Sequence, residues 1–283
     1  MARRLTLLLL VVAVVIIVAR QGFRPAPAPT AFAFGHGPEI VLVHGLGSEI
    51  QHWLPTARIL ARDHRVILAE LPGHDLAPMP DPFSLGQAAA ALDRSIRQLT
   101  DGPVILVGHS LGGLVAAEEA LEHPERVRGL VLIETALKPQ LAPGARDQLL
   151  ARLDQDYDGV LRESYMSFGR DSAQGRRLYA EAARVDPATV KPWIRLALFA
   201  DLSSQMRKLQ PAMLAVLAPH SWEPKETWAH VSRALGYDQV PRVKPVRLDG
   251  CGHFVMLDRP DALARIIERF AADPGGESVA GTP

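Results

Sequence analysis

The chain is 283 residues long, 48% hydrophobic and 22% charged, enough apolar material for one large domain with its own core and too much for a disordered chain. Thirty-one Lys and Arg balance thirty-one Asp and Glu, so no basic footprint points to nucleic acid as a partner. A single cysteine, Cys251, excludes an internal disulfide framework and a structural zinc site built on several thiolates.

Arg3 and Arg4 precede an apolar run from Leu5 to Ala19 that is interrupted only by Thr6. As a helix this run covers about 22 Å, short of the roughly 30 Å hydrocarbon core of a bilayer, and a basic start before such a run reads as a secretory signal. Two readings stay open. The leader is cleaved, with Ala26-Pro27-Ala28 or Ala31-Phe32-Ala33 supplying small residues, or it stays as an N-terminal membrane tether; Arg20 and Arg24 beyond the run leave its orientation undecided. The protein is therefore expected to be exported, periplasmic or secreted, or membrane-anchored. Pro25, Pro27 and Pro29 make an extended linker, so residues 1–33 are set apart as leader and linker, with folded structure expected from near Pro38.

From Glu39 onward short apolar runs alternate with segments of helical period, the pattern of an α/β fold with a mostly parallel central sheet and helices on both faces. Strands are expected at Glu39 to Val43, Arg65 to Ala69, Val104 to Val107, Val127 to Ile133, Ala212 to Leu217 and Val243 to Leu248. Helices are expected at His52 to Arg62, Ser84 to Leu99, Leu111 to Glu122, Lys225 to Leu235 and Pro260 to Ala271. The alternation breaks once. Between Glu134 and Gln210 no convincing strand occurs, while Ala145 to Leu153, Gln174 to Ala183 and Pro192 to Ser203 are amphipathic, so residues 137–210 read as a helical cap inserted between core segments 34–136 and 211–272. Residues 273–283, rich in Gly, Ser and Pro, read as a frayed tail.

The strand Val104 to Val107 runs into Gly108-His109-Ser110-Leu111-Gly112-Gly113 and then a helix. A G-x-S-x-G sequence in a strand-turn-helix context makes a sharp, strained turn: glycines two positions either side of the serine remove the Cβ atoms that would collide, leaving Ser110 Oγ exposed above the sheet. The helix that starts there offers free N–H groups, and the Leu111 amide is placed to bind a developing oxyanion. Ser110 is read as a nucleophile, the alternative being a helix-capping serine.

Together with His44-Gly45-Leu46-Gly47-Ser48 after the first strand, Leu71-Pro72-Gly73-His74, Pro124 to Ile133 and Gly250-Cys251-Gly252-His253-Phe254, the chain resembles the α/β-hydrolase superfamily, specifically its capped serine esterase-like members, from about Pro38 to Phe270. The resemblance implies that His253, in a glycine-flanked turn before the last helix, is the general base, that His44 braces a loop, and that Leu46 donates the second oxyanion N–H. His109, next to Ser110, is expected to face away from it; His52, His64, His74 and His123 read as loop or helix-end residues. No metal cluster with ligand spacing and no dinucleotide or P-loop motif occurs, so no cofactor is expected.

A carboxylate is needed to fix the imidazole tautomer and stabilise the imidazolium. The family usually supplies it after the penultimate strand, where this chain reads Ala218-Pro219-His220-Ser221-Trp222-Glu223 with no aspartate. Glu134, at the end of Val127 to Ile133, occupies a position from which some relatives present their acid. Glu134 is the preferred candidate and Glu223 the competing one. A serine nucleophile points to acyl transfer through an acyl-enzyme; dehalogenase and epoxide hydrolase relatives need Asp at the elbow. Tyr157, Tyr165, Met166, Phe168, Trp193, Leu196 and Phe199 in the cap line an apolar acyl pocket for a small-molecule substrate or simply form the insert's own core. An acyltransferase or haloperoxidase-like activity on the same triad, and a non-catalytic ligand-binding relative, are the alternatives.

Overall fold

The computed structural model describes residues 30–276. The apolar run Leu5 to Ala19 and the end of the tail lie outside them, and among the described residues no helix is long and apolar enough to cross a membrane. In chain order the core elements are β1 (Ala31–Gly35), β2 (Glu39–Val43), α1 (Leu54–Leu60), β3 (Arg65–Ala69), α2 (Leu85–Arg97), β4 (Val104–His109), α3 (Leu111–Glu122) and β5 (Val127–Ile133). Four cap helices follow: α4 (Pro143–Gln155), α5 (Tyr157–Phe168), α6 (Ser172–Ala182) and α7 (Pro187–Phe199). The chain then returns through β6 (Ala212–Leu217), α8 (Trp228–Leu235), β7 (Val243–Arg247), α9 (Val255–Asp258) and α10 (Pro260–Ala272).

The seven strands form one sheet in the order β1-β3-β2-β4-β5-β6-β7. All neighbours are parallel except β1, which lies antiparallel on β3 with Ala31 opposite Ala69 and Gly35 opposite Arg65. Strand side chains alternate between faces. Ile40 and Leu42 pack with α1 and α10 in one core, whereas Val41 and Val43 pack with α2 and α3 in the other. Both faces are thus covered, and the carboxyl ends of β2, β4, β5 and β6 open on one edge beneath the cap, the place where open parallel sheets bind ligands.

Three differences from the sequence expectation have physical reasons. A strand stands ahead of Pro38: the alternation Ala-Phe-Ala-Phe makes an edge strand held by pairing with β3, so Ala31-Phe32-Ala33 is part of the sheet. Helix α5 is an addition to the expected elements: Tyr157, Val160, Leu161, Tyr165 and Phe168 recur at helical spacing, and the helix starts on Asp156, whose carboxylate accepts the Gly159 amide. Helix α7 begins at Pro187, where a proline loses no hydrogen bond, with Asp186 capping Ala188, and Pro192 falls inside it.

Candidate active site

β4 leads into α3 through Ser110, whose backbone sits at φ 52°, ψ −120°, a region that costs a non-glycine residue about 1–3 kcal/mol and persists only where the surroundings enforce it. Here they do. The Ser110 amide donates to Ile133 O at 2.9 Å, its carbonyl receives Gly113 N and the Thr135 hydroxyl, and a Cβ at Gly112 would run into the His44 carbonyl. The Ser110 side chain caps no amide of its own helix, which removes the helix-capping alternative, and it lines a cavity of about 130 Å³ together with His253.

Glu134, the residue after β5, also has positive φ, 50°, because its amide stays tied to Val216 O of β6 while the chain turns away. Its carboxylate is buried and fully engaged: Oε1 accepts the Ala218 amide at 2.7 Å, and Oε2 accepts the Ser221 hydroxyl at 2.9 Å and His253 Nδ1 at 3.1 Å. A carboxylate can only accept here, so Nδ1 carries the imidazole proton and Nε2 is left as a free lone pair at the cavity. Glu223 is exposed beyond β6, its amide bonded to Glu226. Of the two carboxylates that the sequence left open, the fold brings Glu134 and not Glu223 to His253.

The turn Gly45 to Ser48 follows β2, closed by Ser48 N donating to Gly45 O. Its donors can be accounted for one by one. Gly47 N bonds His74 Nε2, Ser48 N closes the turn, and the Gly45 and Leu46 amides have no partner among the turn and loop bonds of the described residues. The same holds for Leu111, first residue of α3. Leu46 and Leu111 both line the cavity with Ser110 and His253. His44 braces this corner, its Nε2 lying 2.8 Å from Glu70 Oε2 and its Nδ1 2.8 Å from the Gly45 carbonyl.

Leu161, Ser164, Tyr165 and Phe168 of α5 and Ile194 of α7 close the cavity. Phe168 stacks on the His253 ring at 4.4 Å between centroids, and its carbonyl receives the His253 amide. Trp193, Leu196 and Phe199 lie elsewhere: Trp193 is buried with its indole N–H on Pro72 O, and the other two line a separate groove. The cap aromatics therefore divide between pocket wall and the insert's own packing.

His109 has a role beyond its place beside Ser110. The residue lines the same cavity, its ring lies 4.7 Å from the His253 ring, and Nε2 donates to the His253 carbonyl at 2.9 Å. Full burial, with His253 adding to it, holds its pKa well below the ordinary histidine value, so it stays neutral. Asp258, which flanks His253 in sequence, takes no part in orienting the base; its carboxylate receives Gly252 N, Gln174 Nε2 and Arg170 Nη1 and so ties the turn before His253 to the cap. His52 lies at the end of a short helix and His74 in a loop, and both are buried bonding partners.

The chain is 27% identical over 259 residues to a pimeloyl-[acyl-carrier protein] methyl ester esterase of Nitrosospira multiformis, covering 84% of this chain and 96% of that protein. It is 29% identical to the protein of the same name from Aeromonas hydrophila, again over 84% and 96% of the two chains. A hydrolase from Oleispira antarctica superposes with a TM-score of 0.75 at 16% identity, over 87% of this chain and 96% of that one. The Alpha/beta hydrolase family model matches residues 40–266, a span that runs from β2 into α10 and takes in the elbow, Glu134, the cap and His253, and the chain belongs to that family.

Proposed function

We propose that the protein is a serine esterase that cleaves its substrate through an acyl-enzyme, with Ser110 as nucleophile, His253 as base and Glu134 as the carboxylate of the triad. The observation that carries this is the bond from His253 Nδ1 to a Glu134 carboxylate, which leaves Nε2 unprotonated on the cavity that Ser110 lines. In the first step Ser110 Oγ attacks the ester carbonyl and passes its proton to His253 Nε2. The Leu46 and Leu111 amides receive the oxyanion, the alkoxide leaves with the proton from His253, and water repeats the sequence to release the acid. Glu134 keeps the imidazole in the productive tautomer and stabilises the imidazolium.

Relatives named as methyl ester esterases support a carboxylic ester of a small alcohol, and the walls of Leu161, Tyr165, Phe168 and Ile194 favour a short apolar group next to the scissile bond. The Leu5 to Ala19 run supports export or tethering, which cell fractionation with N-terminal sequencing of the mature protein would test. For the reaction itself, the test is hydrolysis of p-nitrophenyl esters from acetate to palmitate beside Ser110→Ala, with fluorophosphonate labelling of both. Ser110-dependent turnover with an optimum at short chains is expected. Equal rates in the two proteins, with no label on Ser110, would overturn the reading and leave a ligand-binding relative.

A further inference from the structure

A second chain of serine, histidine and glutamate lies outside the triad. Ser48 Oγ meets His52 Nδ1 at 2.6 Å, and His52 Nε2 meets Glu181 Oε2 at 2.9 Å. Since the Glu181 carboxylate only accepts, Nε2 holds the proton, Nδ1 is the acceptor and the Ser48 hydroxyl donates to it. Ser48 and His52 are buried. They belong to the turn after β2 and the short 3-10 helix that follows it, whereas Glu181 belongs to cap helix α6, 129 residues away from His52.

The turn that Ser48 closes is the one carrying the Leu46 amide, and the cap grips it at two further points. The Tyr165 hydroxyl of α5 donates to the Leu46 carbonyl at 2.5 Å. Gly47, at φ 58°, lies so close beneath the cap that a Cβ there would strike Tyr165 Oη and Ala182 Cβ. Within the turn, the Gly47 amide is held by His74, Ser48 is held by His52, and the Leu46 carbonyl is held by Tyr165. The Leu46 N–H takes part in none of these bonds and stays available to a ligand in the cavity that Leu46 lines.

We infer that His52 and Glu181 are positioning residues for the reaction: with Tyr165 they fasten the Leu46 turn to the cap, so that the oxyanion pocket is complete only with the cap seated. This rests on the esterase reading above. Neither side chain touches the reacting atoms, and their effect passes through the position of one backbone amide. Because that amide acts on charge that develops in the transition state, loosening it should slow the chemical step and leave ground-state binding nearly unchanged.

The test is steady-state kinetics on the preferred p-nitrophenyl ester for the parent, Glu181→Ala, Glu181→Gln, Ser48→Ala and Ser110→Ala, with the urea midpoint of each. Glu181→Ala and Ser48→Ala are expected to lower kcat about tenfold or more with KM within about twofold. Glu181→Gln, whose amide oxygen still accepts the His52 proton, should recover most of the rate. Should Glu181→Ala fail to fold, Ser48→Ala, which removes one hydroxyl, carries the test. Parent kcat in Ser48→Ala and Glu181→Ala, a change confined to KM, or equal losses in Glu181→Ala and Glu181→Gln would each overturn the inference while leaving the esterase reading intact. A parent with no Ser110-dependent turnover would overturn both.

Discussion

Glu134 Oε2 and His253 Nδ1 lie 3.1 Å apart across 119 residues of sequence, and the other oxygen of the same carboxylate is fixed by the Ala218 amide. That second bond makes Glu134→Gln a decisive change. The Ala218 N–H requires an oxygen opposite it, so the glutamine must turn its NH2 toward His253, and an NH2 forces Nδ1 to become the acceptor. The proton then sits on Nε2, the wrong tautomer for a base. The rate of ester hydrolysis by Glu134→Gln is expected to fall about 10³- to 10⁴-fold in kcat, while Glu223→Gln keeps the parent rate. Near-parent rates in both variants would show that neither carboxylate orients the base.

His109 ties the elbow to the base loop through one bond, its Nε2–H on the His253 carbonyl. In His109→Leu that buried carbonyl loses its donor, at a cost of about 1–3 kcal/mol, and the His253 backbone is freed to shift. A lower urea midpoint together with a lower kcat is expected, and His109→Gln, which retains an N–H donor, should recover part of each. An unchanged kcat in a destabilised His109→Leu would confine this histidine to packing.

Much of this was legible in the sequence because it is local. The core strands from β2 to β7 follow from short apolar runs, and Ser110 from a glycine-framed turn between a strand and a helix. Glu134 could be placed only as one of two candidates, since choosing between it and Glu223 depends on how the loop after β6 folds, and that is fixed by the Ala218 and Ser221 bonds to Glu134 itself. The bonds of His52 to Glu181 and of Tyr165 to Leu46 span more than a hundred residues each and have no local signature. β1 stayed hidden for a related reason: it is a strand by virtue of pairing with β3, and its five residues adjoin a proline-rich segment that reads as linker.

The elbow glycines permit a paired test of close approach. A Cβ at Gly112 would meet the His44 carbonyl, a backbone atom that cannot rotate away, whereas one at Gly144 in α4 would meet nothing within 4 Å. Gly112→Ala is therefore expected to lower stability by about 1–3 kcal/mol and to cut turnover with it. Gly144→Ala should instead raise stability by about 0.4–1 kcal/mol by restricting the unfolded chain. Equal denaturation midpoints for the two variants would contradict the packing described at the elbow.

Stability should depend on pH through two kinds of buried group with opposite signs. Glu119, on the buried side of α3, has an oxygen with no hydrogen-bond partner, and burial, reinforced by Asp93, pushes its carboxyl up from 4.5 to about 8. Between those values the folded protein holds a proton that the unfolded chain has released, so the Glu119 contribution is largest below pH 4.5 and is lost as pH rises toward 8. His74 runs the other way. Burial, with His44 beside it, lowers its pKa from 6.5 to about 3, so the unfolded chain takes the proton first and stability is lost as pH falls from 6.5 toward 3. Glu119→Gln reproduces the protonated side chain at every pH. Its urea midpoint should match the parent near pH 4.5 and exceed it by a margin that grows up to about pH 8. Parallel midpoint curves for the two proteins from pH 5 to 9 would mean that Glu119 titrates alike in the folded and unfolded chains, and the alkaline loss would then have to come from another group.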